Sequence, residues 1–306
     1  IHKHVGYNFD KTMRITYILL LFTFLSCAQS INEFETYNEF EQKAMLEFKD
    51  KEYEKALSNF QKAIDLKPTE DVTIYFYATA SALNIGELEK AKELLIASIH
   101  KTNASKSYFL NFKEFDNFRN EKIFSDIEND YEKHISVFYK ELEHPKIYRE
   151  IDSLVELDQK IRKNGNDRNK MAEIDSSNIN RLIEITKEYG WQSRGWLILW
   201  HQRGTYGQDN YVWNFFKPYI DGQIQKGNMK KSFWTTFEEE KSILKSKEQI
   251  YGLYWGQFGQ FPIKDIGNVD KRRTENGLPS LWYMEKVYGI ELPTEYKKTV
   301  ANTVYN

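Results

Sequence analysis

The clearest periodicity in the chain is a helical one. Tyr53, Ala56, Phe60 and Ala63 fall at intervals of three and four, which places them on one face of a helix. The same stripe returns 35 residues later as Leu88, Ala91, Leu95 and Ser98, a spacing that fits a repeated helix pair. Small Ala56 and Ala63 let a neighbouring helix approach, and Phe60 fills the space between. Pro68 ends the first stripe because it cannot continue the hydrogen-bond ladder. Gly86 supplies the turn before the second stripe, where Lys51 stands before the first. A helix pair cannot bury its apolar face alone and needs about three units to form a stable stack. The aromatic stretch of Tyr108, Phe109, Phe112, Phe115, Phe118, Phe124 and Ile127, followed by residues 131–142, is the natural closing unit.

His144-Pro145 marks a join, since a residue before proline is pushed out of helical geometry. Beyond it, Ile147, Ile151, Leu154, Leu157 and Ile161 predict an amphipathic helix over 146–163, ending at Asn164-Gly165-Asn166. A second helix is expected over 178–189, capped by Ser176 or Ser177 and closed by Gly190. A third starts near Ser193 and carries Trp196, Leu197, Trp200 and His201 as far as Gly204. Residues 209–225, 231–245 and 279–288 read as further helices, and 249–261, rich in aromatics and glycine, as a loop or short hairpin. The expected fold class is all-α in the main: a short helical-repeat stack over 32–142, then a mainly helical domain over 146–306 with a small irregular or hairpin segment.

The segment 50–68 resembles the second helix of a tetratricopeptide repeat. That resemblance implies a concave surface for a protein or peptide partner, with Met45, Phe48, Tyr75 and Tyr77 as candidates to line it. At the other end, Met13-Arg14, the apolar run Ile15–Leu25 and Ser26-Cys27 read as a secretory signal starting at Met13, so that residues 1–26 are upstream sequence and signal peptide. The run is too short for the roughly 20 residues a spanning helix needs. Phe24-Leu25-Ser26-Cys27 resembles a bacterial lipobox, which implies acylation of Cys27. The expected address is the cell envelope, lipid-anchored in the outer membrane facing the periplasm, with membrane contact through the anchor alone.

Composition narrows the partners. There are 43 basic and 45 acidic side chains, net charge -2, with no basic stripe, so nucleic acid is not an expected partner. The single cysteine forbids an intramolecular disulfide, and stability has to come from packing. All seven tryptophans and twelve of the fifteen glycines lie from residue 190 onward, so the chain changes character after the repeats. In this half, Asp158-Gln159-Lys160-Ile161-Arg162, Gly190-Trp191-Gln192-Ser193, His201, Glu240-Lys241, Gln249-Ile250-Tyr251-Gly252, Arg272-Arg273 and Gly277-Leu278 occur in that order. The series resembles a bacterial domain family without an assigned activity, with D-Q-x-x-R, G-W-P-S, helical histidine, acidic-Arg and Q-x-Y-G-T-Q elements. Gln192, Lys241 and Leu253-Tyr254 depart from it. The resemblance implies Arg162, Gln159, Gln249, Tyr251 and Trp191 as ligand-binding residues, and no reaction.

Asp158 and Arg162, one helical turn apart, form either a surface ion pair or a grip on a carboxylate or phosphate. His201 is a candidate general base if a carboxylate such as Asp158, Glu239 or Glu240 orients it. H-E-x-x-H, C-x-x-C and G-x-S-x-G are missing from the sequence, and His100, His134, His144 and His201 lack metal-ligand spacing, so no metal and no cofactor are expected. The aromatic-glycine stretch 251–261 offers a stacking surface for a sugar or peptide. The expected function is an envelope-anchored protein- or peptide-binding scaffold whose C-terminal domain takes a cell-wall or small-molecule ligand. The alternative is a hydrolase-like pocket with His201, Glu240 and Asp158 as catalytic residues.

Overall fold

A computed structural model describes residues 33–66, 71–164 and 167–296, and the fold is all-α. Cys27, Pro68 and the Gly165-Asn166 turn lie outside the described residues. Two helical hairpins come first: α1 (Glu33–Lys49) with α2 (Tyr53–Leu66), and α3 (Val72–Asn84) with α4 (Leu88–Thr102). Their turns match at the 35-residue offset, with Lys51 at φ 63° and Gly86 at φ 80°. Glycine adopts this left-handed conformation freely, whereas lysine gives up about 1 kcal/mol. The repeated stripe is the buried one: Ala56, Phe60 and Ala63 on α2, and Ala91, Leu95 and Ser98 on α4, are all fully buried. Ser98 belongs there because its hydroxyl donates to the Leu95 carbonyl at 2.6 Å. Helix α3 buries residues on every side, as a helix surrounded by neighbours must.

Helices α5 (Lys106–Asn111), α6 (Lys122–Asn129) and α7 (Tyr131–Glu141) close this unit, with a 3-10 turn over Lys113–Phe118. The aromatic stretch packs around Phe76, whose ring lies 5.1 to 5.2 Å from those of Tyr108, Phe112 and Phe115. Met45, Phe48 and Tyr75 are buried in this core and Tyr77 packs against it. The expected concave display of these four side chains is therefore corrected: they hold the helices together.

The second half opens with α8 (Pro145–Asn164) and α9 (Arg168–Tyr189). Helix α9 starts ten residues before the predicted 178, capped by Asp167 on the Lys170 amide, so Ser176 and Ser177 are internal and cap nothing. Packing on α8 carries the helix through this polar stretch: Ile174 is buried, and the Asn178 amide donates to the Leu154 carbonyl at 3.1 Å. Gly190, at φ 80°, ends α9 as expected. A 3-10 turn leads into α10 (Trp196–Trp200), and His201 sits at its C-terminal cap, just beyond the helix. Then follow α11 (Tyr211–Gln225), α12 (Thr235–Ser246), a short α13 (Val269–Glu275) that the sequence pattern did not reveal, and α14 (Leu281–Tyr288). Residues 249–261 form an irregular loop rather than a hairpin, with one parallel bridge from Gln249 to Ile263. Among the described residues no helix is long and apolar enough to cross a membrane.

Two large cores result. One spans residues 147–237; the other fills the repeat stack and takes in Tyr283, Met284 and Val287 of α14. The last helix thus returns to the first, and ion pairs Lys231–Glu35 and Lys286–Asp50 flank the junction. Glu41 of α1 lies there too, its carboxyl pushed up to about 7 by burial, against the pull of Lys230.

Candidate functional site

The polar residues singled out in the second half fall into two linked groups. The first is centred on Asp158, which is 2% exposed. Its neighbour Gln159 donates a side-chain amide hydrogen to Asp158 Oδ2 at 2.7 Å, and Arg162 Nη1 lies 2.8 Å from Oδ1. His201 approaches from the end of α10, with Nε2 3.1 Å from Asp158 Oδ2 but out of line for a hydrogen bond. Burial drives the imidazole below its ordinary pKa; Asp158 pulls it back up, while Arg162 and Arg203 push with burial. The balance favours the neutral imidazole.

Arg162 does not face a ligand space with an open fork. Its Nη2 donates to both oxygens of Asp175 on α9, at 2.7 and 2.9 Å, while Nη1 serves Asp158. The grip on an external carboxylate or phosphate is therefore corrected to an internal clamp between α8 and α9. Asp175 carries no recognisable sequence signal, because it lies 13 residues away on another helix.

The second group is built on three consecutive glutamates of α12, which fan about 100° apart. Glu238 accepts from the Tyr251 hydroxyl at 2.6 Å. Glu239 is wholly buried and accepts from the backbone amides of Ile250, of Tyr251 at 3.0 Å and of Leu253 at 2.8 Å. Glu240 accepts from the Tyr254 hydroxyl and lies 3.5 Å from Arg203 Nε. Gln249 is also wholly buried: its amide donates to the Phe261 carbonyl at 2.8 Å, and its oxygen accepts from the Tyr254 amide at 2.8 Å. Buried Arg273 donates to the carbonyls of Tyr251 and Pro279 at 2.6 and 2.5 Å, and Arg272 donates to that of Ile250 at 3.1 Å. Gly252, at φ 71°, packs so closely that an added Cβ would lie 2.8 Å from Ile263 Cδ1.

These contacts correct the ligand roles of Gln249 and Tyr251. Both fasten the loop from inside, because a buried irregular backbone must find partners for its N–H and C=O groups. Burial, then the bond to Glu238, raises the Tyr251 phenol well above its ordinary pKa; burial and Glu240 do the same to Tyr254. Trp191 is likewise a packing residue, edge-on to Phe216 and Phe233 at 5.9 and 5.6 Å. Where the sequence departs from the motif, Tyr254 supplies a polar group of its own to Glu240.

The two groups meet at Arg203, whose charge acts on both His201 and Tyr254. Its guanidinium lies 4.6 Å above the Trp200 ring, which stacks on Trp196 at 5.4 Å. Arg203 is a third exposed, more open than Glu240 at 17% or His201 at 13%. Sequence reading missed it, and named Glu239 only as a possible partner of His201 and Tyr254 only as a departure from the motif. Among the described residues no three His, Cys, Asp or Glu side chains converge to hold a metal.

On the outer side of the fastened loop lies a groove of about 690 Å³. Phe258, Pro262, Ile263, Ile266, Leu292 and Pro293 give it an apolar floor, and Glu291 and Glu295 also line it. Next to Gly256 in the loop, Trp255 is 46% exposed and stacks on Tyr288 at 6.4 Å. Compared with known proteins, the chain matches no family model, no curated protein and no solved structure.

Proposed function

We propose that the protein is an envelope lipoprotein, anchored through Cys27, whose C-terminal half binds a peptide in the groove beside the loop 249–263. The observation that carries this reading is the groove itself. Its volume of about 690 Å³ falls in the range of ligand sites, and one wall is a loop fastened by Glu239, Gln249 and Arg273. A wall held this way loses little conformational freedom when a ligand docks, so less of the contact energy is spent on ordering it. The apolar floor suits a Leu- or Val-like side chain, and Glu291 and Glu295 suit a basic neighbour on the same peptide.

The test is a fluorescence titration of the protein with two short peptides, one alternating Leu with Lys and one alternating Leu with Glu. The Leu-Lys peptide is expected to change the Trp255 signal saturably. An Ile263→Glu variant with unchanged helical circular dichroism loses the response. No response from either peptide, or the same affinity for both, overturns the proposal.

A second reading rests on the 3.1 Å approach of His201 to buried Asp158. Such a pair has the makings of a general base. Arg203, stacked on Trp200 and a third exposed, would face the substrate. Under this reading the domain is a hydrolase-like enzyme of the envelope, with Glu240 holding Arg203. Turnover of envelope peptides or esters that vanishes in His201→Gln would support it; equal rates in wild type and variant would remove it.

A further inference from the structure

Outside both groups, the repeat stack brings two histidines together. His100, in the last turn of α4, and His134, on α7, place Nε2 and Nδ1 3.0 Å apart, with ring centroids separated by 5.1 Å. They lie 34 residues apart in sequence and meet because α4 and α7 pack together. Two imidazole nitrogens at this distance share either a proton or a metal ion. Burial holds both rings below their ordinary pKa, in the direction that favours the neutral imidazole a metal ion needs.

We propose that His100 and His134 form a two-histidine site for a divalent transition ion of the zinc type. Zinc bonds to imidazole nitrogen are about 2.0 to 2.1 Å, so two ligands at a tetrahedral angle lie roughly 3.3 to 3.4 Å apart. The present separation needs to open by only a few tenths of an ångström. Binding requires the ring that now donates its proton to carry it on its far nitrogen instead; both facing lone pairs then point at the ion and no net proton is released. Among the described residues no third such side chain joins them, so water completes the shell. Room for it exists in an adjoining hollow of about 340 Å³, lined by His134, Asp126, Asp130, Asn129 and Lys92. Asp130 and Glu141 add negative charge on either side, each now paired with a lysine, Lys133 at 3.2 Å and Lys101 at 2.8 Å. Neither ring belongs to the peptide groove or to the Asp158 group.

The experiment uses the untagged full chain carrying Cys27→Ser, which removes the thiol as a competing ligand. Calorimetric titration with zinc alone at pH 7.5 is expected to show one saturable site. Loss of an outer-shell partner alone typically costs about 10- to 100-fold in metal affinity, so His100→Gln and His134→Gln should each weaken binding by at least roughly tenfold. Proton NMR of the histidine rings in the parent protein keeps the test independent of variant folding: His100 and His134 shift on adding zinc, while His144 and His201 do not. An absence of saturable heat, undiminished affinity in both variants, or shifts confined to other histidines overturns the assignment.

Discussion

Replacing Glu239 by alanine tests the claim that one buried carboxylate holds the loop 249–254. In the folded protein it accepts three backbone amides, from Ile250, Tyr251 and Leu253, with no exposure of its own. A hydrogen bond to a charged group contributes about 1.5 to 3 kcal/mol, and an orphaned buried donor costs about 1 to 3 kcal/mol. Three such bonds would give about 4.5 to 9 kcal/mol, and water entering at the partly exposed Ile250 and Leu253 amides recovers part of it, so the expected loss is about 4 kcal/mol. With a urea dependence of about 2 kcal/mol per molar, the unfolding midpoint falls by roughly 2 M. Circular dichroism reads the helices and tryptophan fluorescence reads the second half, where all seven tryptophans lie. Hydrogen exchange adds a local readout: the amides of Ile250, Tyr251 and Leu253 are protected in the parent and exchange rapidly in the variant. A midpoint change worth less than about 1 kcal/mol, with protection of the three amides intact, would refute the reasoning.

Further consequences can be measured separately. Asp158→Asn removes the larger of the two carboxylate pulls on the His201 imidazole, leaving burial, Arg162 and Arg203 to push it down against Asp175, so its pKa measured by NMR falls further; a rise would contradict the geometry. Glu41 has its carboxyl raised to about 7 from 4.5, so the stability it contributes is complete below pH 4.5 and is lost as the pH rises through 7. At about 1.4 kcal/mol per unit, Glu41→Gln should gain roughly 2 to 3 kcal/mol on the parent between pH 4.5 and 8, and parallel stability curves would count against a raised carboxyl at the junction. Met284→Ala on α14 should cost about 2 to 5 kcal/mol. Because Met284 lies in the repeat-stack core, the loss should appear as earlier melting of α1 and α2, followed by their hydrogen exchange; an unchanged repeat stack would show that the last helix contributes nothing to it.

The long helices were legible because each carries its own stripe. Ala56, Phe60 and Ala63 and their copies Ala91, Leu95 and Ser98 mark the buried faces of α2 and α4, and Ile147 and Ile151 mark that of α8, whereas Leu88 and Leu157 of the same series are exposed. Short α13 was not legible, since its burial depends on Arg273 and Asp270 reaching partners on other segments. The cap at Ser176 or Ser177 failed for the same reason: α9 is extended by contacts with α8 that no local pattern contains.

At the candidate site, sequence order named Asp158, Gln159, Arg162 and His201, and those four do come together. It could not say which way their donors point. Asp175 fills the fork of Arg162, and Glu239 takes the loop amides, because partners 13 and 11 to 14 residues distant are chosen by helix packing. The same holds for Met45 and Tyr75, apolar in any reading but buried once neighbouring helices pack around them. What the sequence settled by itself is local, because helical periodicity and turn residues act over a few positions. Which faces meet, which charges are satisfied internally and where a groove remains open were decided only when distant segments packed, since burial and hydrogen-bond partnership are properties of the assembled chain.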